Sequence, residues 1–190
     1  MDLEEIGTIY GTQKVTQGFL PIYERYIKPW MSILEIGIAE GKSLEMWHAY
    51  TDGGIVHGVD KSLENVWWQV HGVSYHKADA QTFTPPHKFD LIIDDGSHIA
   101  EEQLNTFKNL WPYVNKGGYY VVEDLFTLFD PVWNPDPNNN ILNLINSKQR
   151  EWLIGGDDIQ EVHLHGGNSM GGILFILKRF EKYRINTEYD

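Results

Sequence analysis

The sequence predicts a doubly wound α/β fold, in which a mostly parallel sheet of seven strands carries helices on both faces. Three observations lead to this prediction. Short apolar runs alternate with segments of helical periodicity over residues 31–125, a pattern typical of parallel strands joined by crossover helices. The first of these runs ends in a glycine-rich turn. Two apolar runs near the C-terminus flank a turn rich in Gly and Asn, which predicts a closing antiparallel hairpin.

The individual elements follow from apolar spacing and from turn residues. Strands of the parallel part are expected at residues 33–38, 55–60, 73–79, 89–95 and 119–125. Helices are expected at residues 19–26, 40–50, 62–70, 100–114 and 141–152. The hairpin strands are expected at residues 159–165 and 172–179, with a turn around Gly166-Gly167-Asn168. Residues 116–118 (KGG) are expected to form a turn, and residues 126–140, rich in Pro and Asn, a loop.

Length, charge and residue usage limit the classes of protein that remain. A chain of 190 residues is expected to form one domain, spanning residues 1–190. The 27 acidic against 15 basic side chains give a net charge of -12, which argues against nucleic acid or an anionic membrane as the main partner. The chain has no cysteine, which excludes disulfides, thiolate metal sites and a cysteine nucleophile. The acidic N-terminus lacks the apolar stretch of a secretory signal, so a cytoplasmic location is expected.

The glycine-rich turn after the first predicted strand has the features of a nucleoside site. Gly37 and Gly41 allow the backbone to approach a ligand closely at the start of a helix. Their spacing is neither the G-x-G-x-x-G of a dinucleotide site nor a full phosphate-binding loop. Asp60 ends the second predicted strand, where a carboxylate can accept both hydroxyls of a ribose. The third ends beside Asp79 and Ala80, on the expected base side. The alternative is a plain structural turn, with Asp60 capping a helix.

Acidic side chains follow the fourth and fifth predicted strands. Asp94 and Asp95 end the fourth strand, His98 follows, and Glu123 and Asp124 end the fifth. Neighbouring strands of such a sheet open into one crevice, where converging like charges need a counter-charge. Because no run of Lys or Arg lies near, a divalent cation is expected, and all-oxygen ligation suits magnesium. Alternatively, His98 caps the helix that begins near Ala100, and the acids are an ordinary polar strand exit.

Several stretches together resemble a known family. ILEIGIAEGKSLEMW, HGVD, FDLIIDDGSH and KGGYYVVEDL are similar to class I S-adenosylmethionine-dependent methyltransferases, and more narrowly to macrocin-type O-methyltransferases of macrolide sugars. The N-terminal YGTQK is also similar, although Gln13 stands where the family usually has Asp. The resemblance spans roughly residues 6–125, with a looser match in the C-terminal hairpin. It implies a Rossmann-like sheet and methyl transfer from S-adenosylmethionine to a hydroxyl of a small, sugar-containing molecule.

The resemblance also implies roles for individual residues. His98 is the expected general base, and Asp95, Glu123 and Asp124 are the expected ligands of Mg2+ or another divalent cation. Residues 1–30 are expected to cover the cofactor. The aromatic side chains of the 126–140 loop (Phe126, Phe129 and Trp133) either wall the acceptor site or belong to a polar loop that is merely mobile. The cofactor-binding residues are expected to be Glu35, Gly37, Ile38, Gly41, Ser43, Asp60, Asp79, Ala80 and Asp94.

Two other functions stay open at this point. One is a nicotinamide-dependent oxidoreductase, which also uses an acidic residue after the second strand, although the third glycine of its fingerprint is missing. The other is a catalytically silent binding module with a methyltransferase-like fold. The expected partner is a small-molecule hydroxyl acceptor, and a homo-oligomer is compatible with the sequence.

Overall fold

The computed structural model describes residues 1–153, 158–166 and 172–179, and it confirms the predicted sheet. Within these residues one seven-stranded sheet has the strand order β3-β2-β1-β4-β5-β7-β6. The strands are β1 Ile33–Ile36, β2 Val56–Asp60, β3 Val73–Lys77, β4 Phe89–Asp94, β5 Val114–Val122, β6 Ile159–Gly166 and β7 Gly172–Lys178. Strands β1 to β5 pair in parallel, whereas β7 pairs antiparallel with both β5 and β6. The predicted turn residues Gly167 and Asn168 lie outside the described residues.

Helices cover both faces of the sheet. They are α1 Leu3–Tyr10, α2 Lys14–Gln17, α3 Leu20–Tyr23, α4 Lys42–Tyr50, α5 Ala100–Leu110 and α6 Ile141–Leu153. Short 3-10 helices span Trp111–Tyr113 and Leu125–Phe129. None of the helices in the described part of the chain is both long and apolar enough to cross a membrane.

Strand side chains alternate between the two faces and so build two apolar clusters. Leu34, Ile92 and Tyr120 point into the cluster that α5 and α6 cover. Their neighbours Ile33, Leu91 and Val121 point into the opposite cluster, which α1, α3 and α4 cover. Burial on both faces explains why these strands appear in the sequence as continuous apolar runs.

Two predicted elements differ in the structure. Residues 62–70 were expected to form a helix, but the link between β2 and β3 is irregular there. Leu63 and Val66 pack on the core while the consecutive Trp67 and Trp68 are exposed, so the apolar side chains share no single helical face. The helix expected at 19–26 is shortened to α3.

The predicted turn at residues 116–118 is a third difference, because it lies inside β5. The strand begins at Val114, which pairs with Phe89, and its register shifts before Tyr119 pairs with Leu91. Gly117 adopts a left-handed conformation (φ 76°) within this irregularity. The glycines therefore accommodate an irregular strand pairing instead of ending the strand.

Candidate active site at the carboxyl ends of β1, β2, β4 and β5

The sheet reverses its winding between β1 and β4, and the loops at the carboxyl ends of these strands meet at Gly37. Gly37 has a positive φ of 77°, and a Cβ atom there would lie 2.1 Å from the carbonyl oxygen of Asp95. Only glycine fits, because any side chain would overlap the backbone after β4. The close contact brings the predicted nucleoside turn and the predicted acidic group side by side, where ligands of open α/β sheets bind.

Two cavities open beside Gly37. The first, of about 180 Å³, is lined by predicted cofactor-binding residues, namely Gly37, Asp60, Asp79, Ala80 and Asp94. The second, of about 160 Å³, lies between the N-terminal segment and the start of α4. Its walls include residues 11–14 and Gln17 on one side, and Ile38 and Ser43 on the other. Asp95 also lines this second cavity.

Asp60 and Asp79 make structural hydrogen bonds within these walls. The Asp60 carboxylate accepts the backbone N–H groups of Ile38 and Ser62, each at 3.0 Å. Asp79 accepts the backbone N–H of Gln81 at 3.0 Å. Both carboxylates therefore hold the strand-end loops in shape while they line the first cavity.

Two predicted cofactor residues, Glu35 and Gly41, do not line either cavity. Gly41 adopts a left-handed conformation (φ 85°) as the N-cap of α4. Glu35 is fully buried, and one carboxylate oxygen accepts a 2.6 Å hydrogen bond from Ser43 Oγ. Its other oxygen lies 3.0 Å from Lys14 Nζ. Glu35 thus connects the cofactor turn to a buried lysine.

That lysine is the centre of what we call the Lys14 group, formed by Lys14, Glu35, Asp95 and Glu123. Lys14 is only 2% exposed, and its ammonium lies 3.0 Å from Glu35 and 2.8 Å from both Asp95 and Glu123. The second oxygen of Glu123 accepts a hydrogen bond from the Tyr23 hydroxyl. The expectation that no basic side chain would serve these acids is therefore wrong, because the N-terminal segment supplies one.

Burial and charge act in opposite directions on the Lys14 group. Burial by itself lowers the pKa of Lys14, but the carboxylates of Asp95, Glu123 and Glu35 outweigh it and raise that pKa well above its ordinary value. The Lys14 side chain therefore stays an ammonium ion. Burial raises the pKa of Glu35, against the opposing effects of Lys14 and Ser43. One cation thus faces two fully buried carboxylates, Glu35 and Glu123, and the partly exposed Asp95.

A second group, the acid–histidine group, consists of Asp95, His98 and Asp124. One potential ligand atom of each lies within 4.8 Å of those of the other two. His98 Nε2 is 3.8 Å from Asp124 Oδ2. The three side chains are 10–30% exposed, so the group faces the crevice. Burial, and then the neighbouring Asp95, raise the pKa of Asp124. The two carboxylates fit a divalent cation, because their oxygens can converge on one point beside the imidazole.

The backbone at the acid–histidine group is conformationally unusual. His98 and Asp124 both have left-handed conformations, with φ values of 59° and 55°. A left-handed backbone conformation costs about 1–3 kcal/mol at a residue other than glycine, so it persists only where the surrounding structure imposes it. His98 Nδ1 is buried and makes no hydrogen bond within the described residues. Strained residues with an unsatisfied imidazole nitrogen are typical of functional sites.

Asp94 lies beside this group, on the opposite side of the strand end from Asp95. It is buried in the wall of the first cavity, where its carboxylate accepts a 3.0 Å hydrogen bond from the Tyr120 hydroxyl. Burial raises its pKa to about 7, against the opposing effect of Tyr120. Asp94 therefore presents a carboxyl group to the first cavity and is not part of the acid–histidine group.

The loop predicted at residues 126–140 runs past His98 as an irregular segment after the 3-10 helix. The backbone carbonyl of Trp133 accepts a hydrogen bond from Ala100 N at 2.9 Å, which fixes the loop against the start of α5. The Trp133 ring meets the His98 ring edge-on, with centroids 6.4 Å apart. Phe126 and Phe129 are exposed. Of the three predicted aromatic side chains, Trp133 is the one in ring contact with the acid–histidine group.

Comparison with known proteins agrees with this geometry. The family model described as "Methyltransferase domain" matches residues 34–125. The chain carries a methyltransferase domain. The matched range contains the Gly37 turn and the first cavity. It also contains every member of the Lys14 group and of the acid–histidine group except Lys14 itself. The resemblance stated from sequence motifs is thereby confirmed.

Two curated relatives are named as O-methyltransferases. The chain is 30% identical to demethylmacrocin O-methyltransferase of Streptomyces fradiae, over 90% of this chain and 48% of that protein. It is 35% identical to a tetracenomycin rhamnosyl 3'-O-methyltransferase of Streptomyces olivaceus, over 68% of this chain and 38% of that protein. The chain thus spans less than half the length of these two curated relatives.

A solved methyltransferase has the same fold over the whole chain. The MycE methyltransferase of the mycinamycin biosynthetic pathway, in complex with Mg and S-adenosylhomocysteine (SAH), superposes with a TM-score of 0.81 and 25% identity. The match covers 100% of this chain and 58% of MycE. The seven-stranded sheet with its antiparallel C-terminal strands is therefore the methyltransferase fold.

Proposed function

We propose that this domain transfers a methyl group from S-adenosylmethionine to a hydroxyl of a small, sugar-containing molecule, with the help of a divalent cation. The observation that carries the proposal is the contact at Gly37. It places a nucleoside-sized cavity and the acid–histidine group on two sides of one glycine. A methyl donor and an activated hydroxyl must be adjacent for an in-line displacement, because proximity and orientation lower the barrier.

The cofactor would bind across the two cavities beside Gly37. Asp60 is the proposed ribose acceptor, and Asp79 and Ala80 lie on the proposed adenine side. Ile38 and Ser43 line the second cavity opposite residues 11–14, which supports a covering role for the N-terminal segment. Glu35 and Gly41 would act indirectly, through Ser43 and through the start of α4.

A divalent cation fits the acid–histidine group. Asp95 and Asp124 are the proposed carboxylate ligands, and hard oxygen donors favour Mg2+. Glu123 is the third predicted ligand. Its oxygens contact Lys14 and Tyr23, so it would bind a cation only by sharing them. When bound, the cation would lower the pKa of the acceptor hydroxyl and hold it in place.

His98 is the proposed general base. The hydroxyl oxygen forms a bond to the methyl carbon as the bond from carbon to the sulfonium sulfur breaks, and that electron pair stays on sulfur. The hydroxyl proton passes to the imidazole of His98, which must be neutral to accept it. Asp124 lies 3.8 Å from His98 Nε2, close enough to stabilise the imidazolium ion that forms.

The 126–140 loop is the proposed acceptor wall. Trp133 contacts His98 and offers an aromatic edge beside the reacting atoms. One curated relative is named for 3'-O-methylation of a rhamnosyl tetracenomycin, and another for O-methylation of demethylmacrocin. These names support a glycosylated acceptor for this chain. The identity of the sugar and of the scaffold that carries it belongs to the proposal.

The direct experiment combines binding with turnover. Titration calorimetry is expected to detect SAH binding without any acceptor. Transfer of a labelled methyl group to a panel of deoxysugar glycosides is expected to require Mg2+ or Mn2+ and to stop in excess chelator. Full activity in chelator would contradict the metal role. SAH binding without turnover on any hydroxylated acceptor would favour a silent binding module.

A further inference from the structure

Lys14 has no part in the transfer step described above, yet its buried ammonium contacts three carboxylates at 2.8–3.0 Å. It comes from α2 in the N-terminal segment. Its three partners come from the carboxyl ends of three different strands, Glu35 in β1, Asp95 after β4 and Glu123 after β5. One side chain therefore connects the N-terminal segment to all three strand ends.

The segment anchored in this way forms one wall of the second cavity. Residues 11–14 and Gln17 face Ile38 and Ser43 across that cavity, and Asp95 closes its end. Gln17 Nε2 makes a longer hydrogen bond, 3.5 Å, to Asp124. The three contacts of Lys14, at 2.8–3.0 Å, are the shorter and charged polar connections.

Helix α2 has little stabilising structure of its own. It has four residues and no side-chain cap, and it ends at Gly18, whose backbone N–H contacts the carbonyl oxygens of Lys14 and Val15. So short a helix is not stable by itself. The position of this wall therefore depends on contacts with the rest of the domain, of which the Lys14 ammonium makes the charged ones.

We propose that Lys14 is a positioning residue for the cofactor: its ammonium docks the segment 11–17 on the strand ends and so completes the cofactor cavity, while it fixes Asp95 at the edge of the acid–histidine group. This inference rests on the proposed function, because it assigns the second cavity to the cofactor. In the proposed methyl transfer Lys14 touches no reacting atom. It acts through the cavity wall and through Asp95.

The test compares Lys14→Met with Lys178→Met. Methionine keeps the length of the side chain and removes its charge. Lys178, in β7, lines neither cavity, and its ammonium lies 3.6 Å from Asp158 while its side chain is only 10% exposed. The two variants thus make the same chemical change at two lysines with little exposure, one in the wall of the second cavity and the other away from it.

Two measurements are made on folded protein, well below the unfolding temperature. In Lys14→Met, amide hydrogen exchange of residues 11–18 is expected to accelerate at least tenfold, and the Kd for SAH to rise at least tenfold. In Lys178→Met, exchange of residues 11–18 should stay as in the wild type and the Kd should change less than threefold. A loss of stability in Lys14→Met with an unchanged Kd would show that Lys14 is merely structural, and would overturn the inference.

Failure of the proposed function has a different signature. If the wild-type protein itself binds no SAH, the second cavity is not a cofactor site, and both proposals are overturned by the wild type alone. If the wild type binds SAH and Lys14→Met binds it equally well, the proposed function stands and the positioning role is overturned.

Discussion

The Lys14 group and the acid–histidine group share Asp95 but differ in what balances their negative charge. In the Lys14 group the buried Glu35 and Glu123 and the partly exposed Asp95 surround an ammonium ion that the protein itself supplies. In the acid–histidine group two carboxylates and a histidine face a crevice. The comparison teaches that clustered acids serve two purposes at one sheet edge. One cluster joins segments of the chain, and the other is left open to ligands.

The largest expected effect comes from His98, in the open group. His98→Asn keeps a residue type that tolerates the left-handed backbone and cannot take up the proton. We expect kcat to fall by about 10²–10⁴-fold, the usual contribution of a general base. Steady-state kinetics at saturating cofactor measure this, and the Kd for SAH serves as the control and should not change. An unchanged kcat would remove His98 from the mechanism.

The next effect concerns the enclosed group and the stability of the fold. Removing one partner of a buried ion pair costs about 3–5 kcal/mol, because the other charges stay buried without compensation. We therefore expect Lys14→Met to lower the free energy of unfolding by about that amount. Lys42→Met, at an exposed pair, should lower it by less than about 1 kcal/mol. Urea denaturation measures both, and equal effects would mean that enclosure of Lys14 has no energetic consequence.

A smaller effect is expected at Asp60, on the cofactor side of Gly37. In Asp60→Asn an amide NH2 group replaces one of the two carboxylate oxygens. The side chain can then no longer accept hydrogen bonds from the backbone N–H groups of both Ile38 and Ser62. We expect the Kd for SAH to rise about tenfold, equivalent to roughly 1.4 kcal/mol. Calorimetric titration measures the change. A wild-type Kd would show that Asp60 only shapes the loop.

The smallest effect lies outside both groups, where His57 contacts His76 and His87. Burial, and then the two neighbouring histidines, lower the pKa of His57 to about 4. The unfolded chain therefore binds more protons than the folded protein between about pH 6.5 and pH 4, so stability falls as the pH falls through that window. A His57→Gln variant should lose less stability than the wild type on acidification. NMR titration of His57 near 6.5 would contradict the assignment.

Features of this molecule that depend on local sequence patterns were predictable, whereas those that depend on contacts between distant residues were not. The strands and their order were predictable because buried parallel strands are continuous apolar runs bounded by turns. Asp95, His98 and Asp124 were predictable as neighbours because they follow adjacent strands. The helix at 62–70 was wrong because its two tryptophans face solvent, which spacing alone does not reveal.

The Lys14 group was not predictable in the same way. Two of its three ion pairs join residues 81 and 109 positions apart in the chain. Lys14 lies in a short helix whose position is set by tertiary contacts and not by local periodicity. The sequence offers one signal, the lysine within the YGTQK motif. The structure shows that this lysine is only 2% exposed, and a buried lysine is almost always paired with an acid. Burial, however, is a property of the fold and is not evident from the motif alone.

The central claim is that the acid–histidine group holds a divalent cation beside the methyl donor. Its most direct test is anomalous diffraction from crystals grown with Mn2+ and SAH, of the wild-type protein and of Asp124→Asn. In the wild type we expect one manganese peak in contact with the carboxylates of Asp95 and Asp124, next to the SAH sulfur. In Asp124→Asn we expect that peak to be lost. Manganese bound elsewhere, or no bound manganese while SAH occupies its cavity, would contradict it.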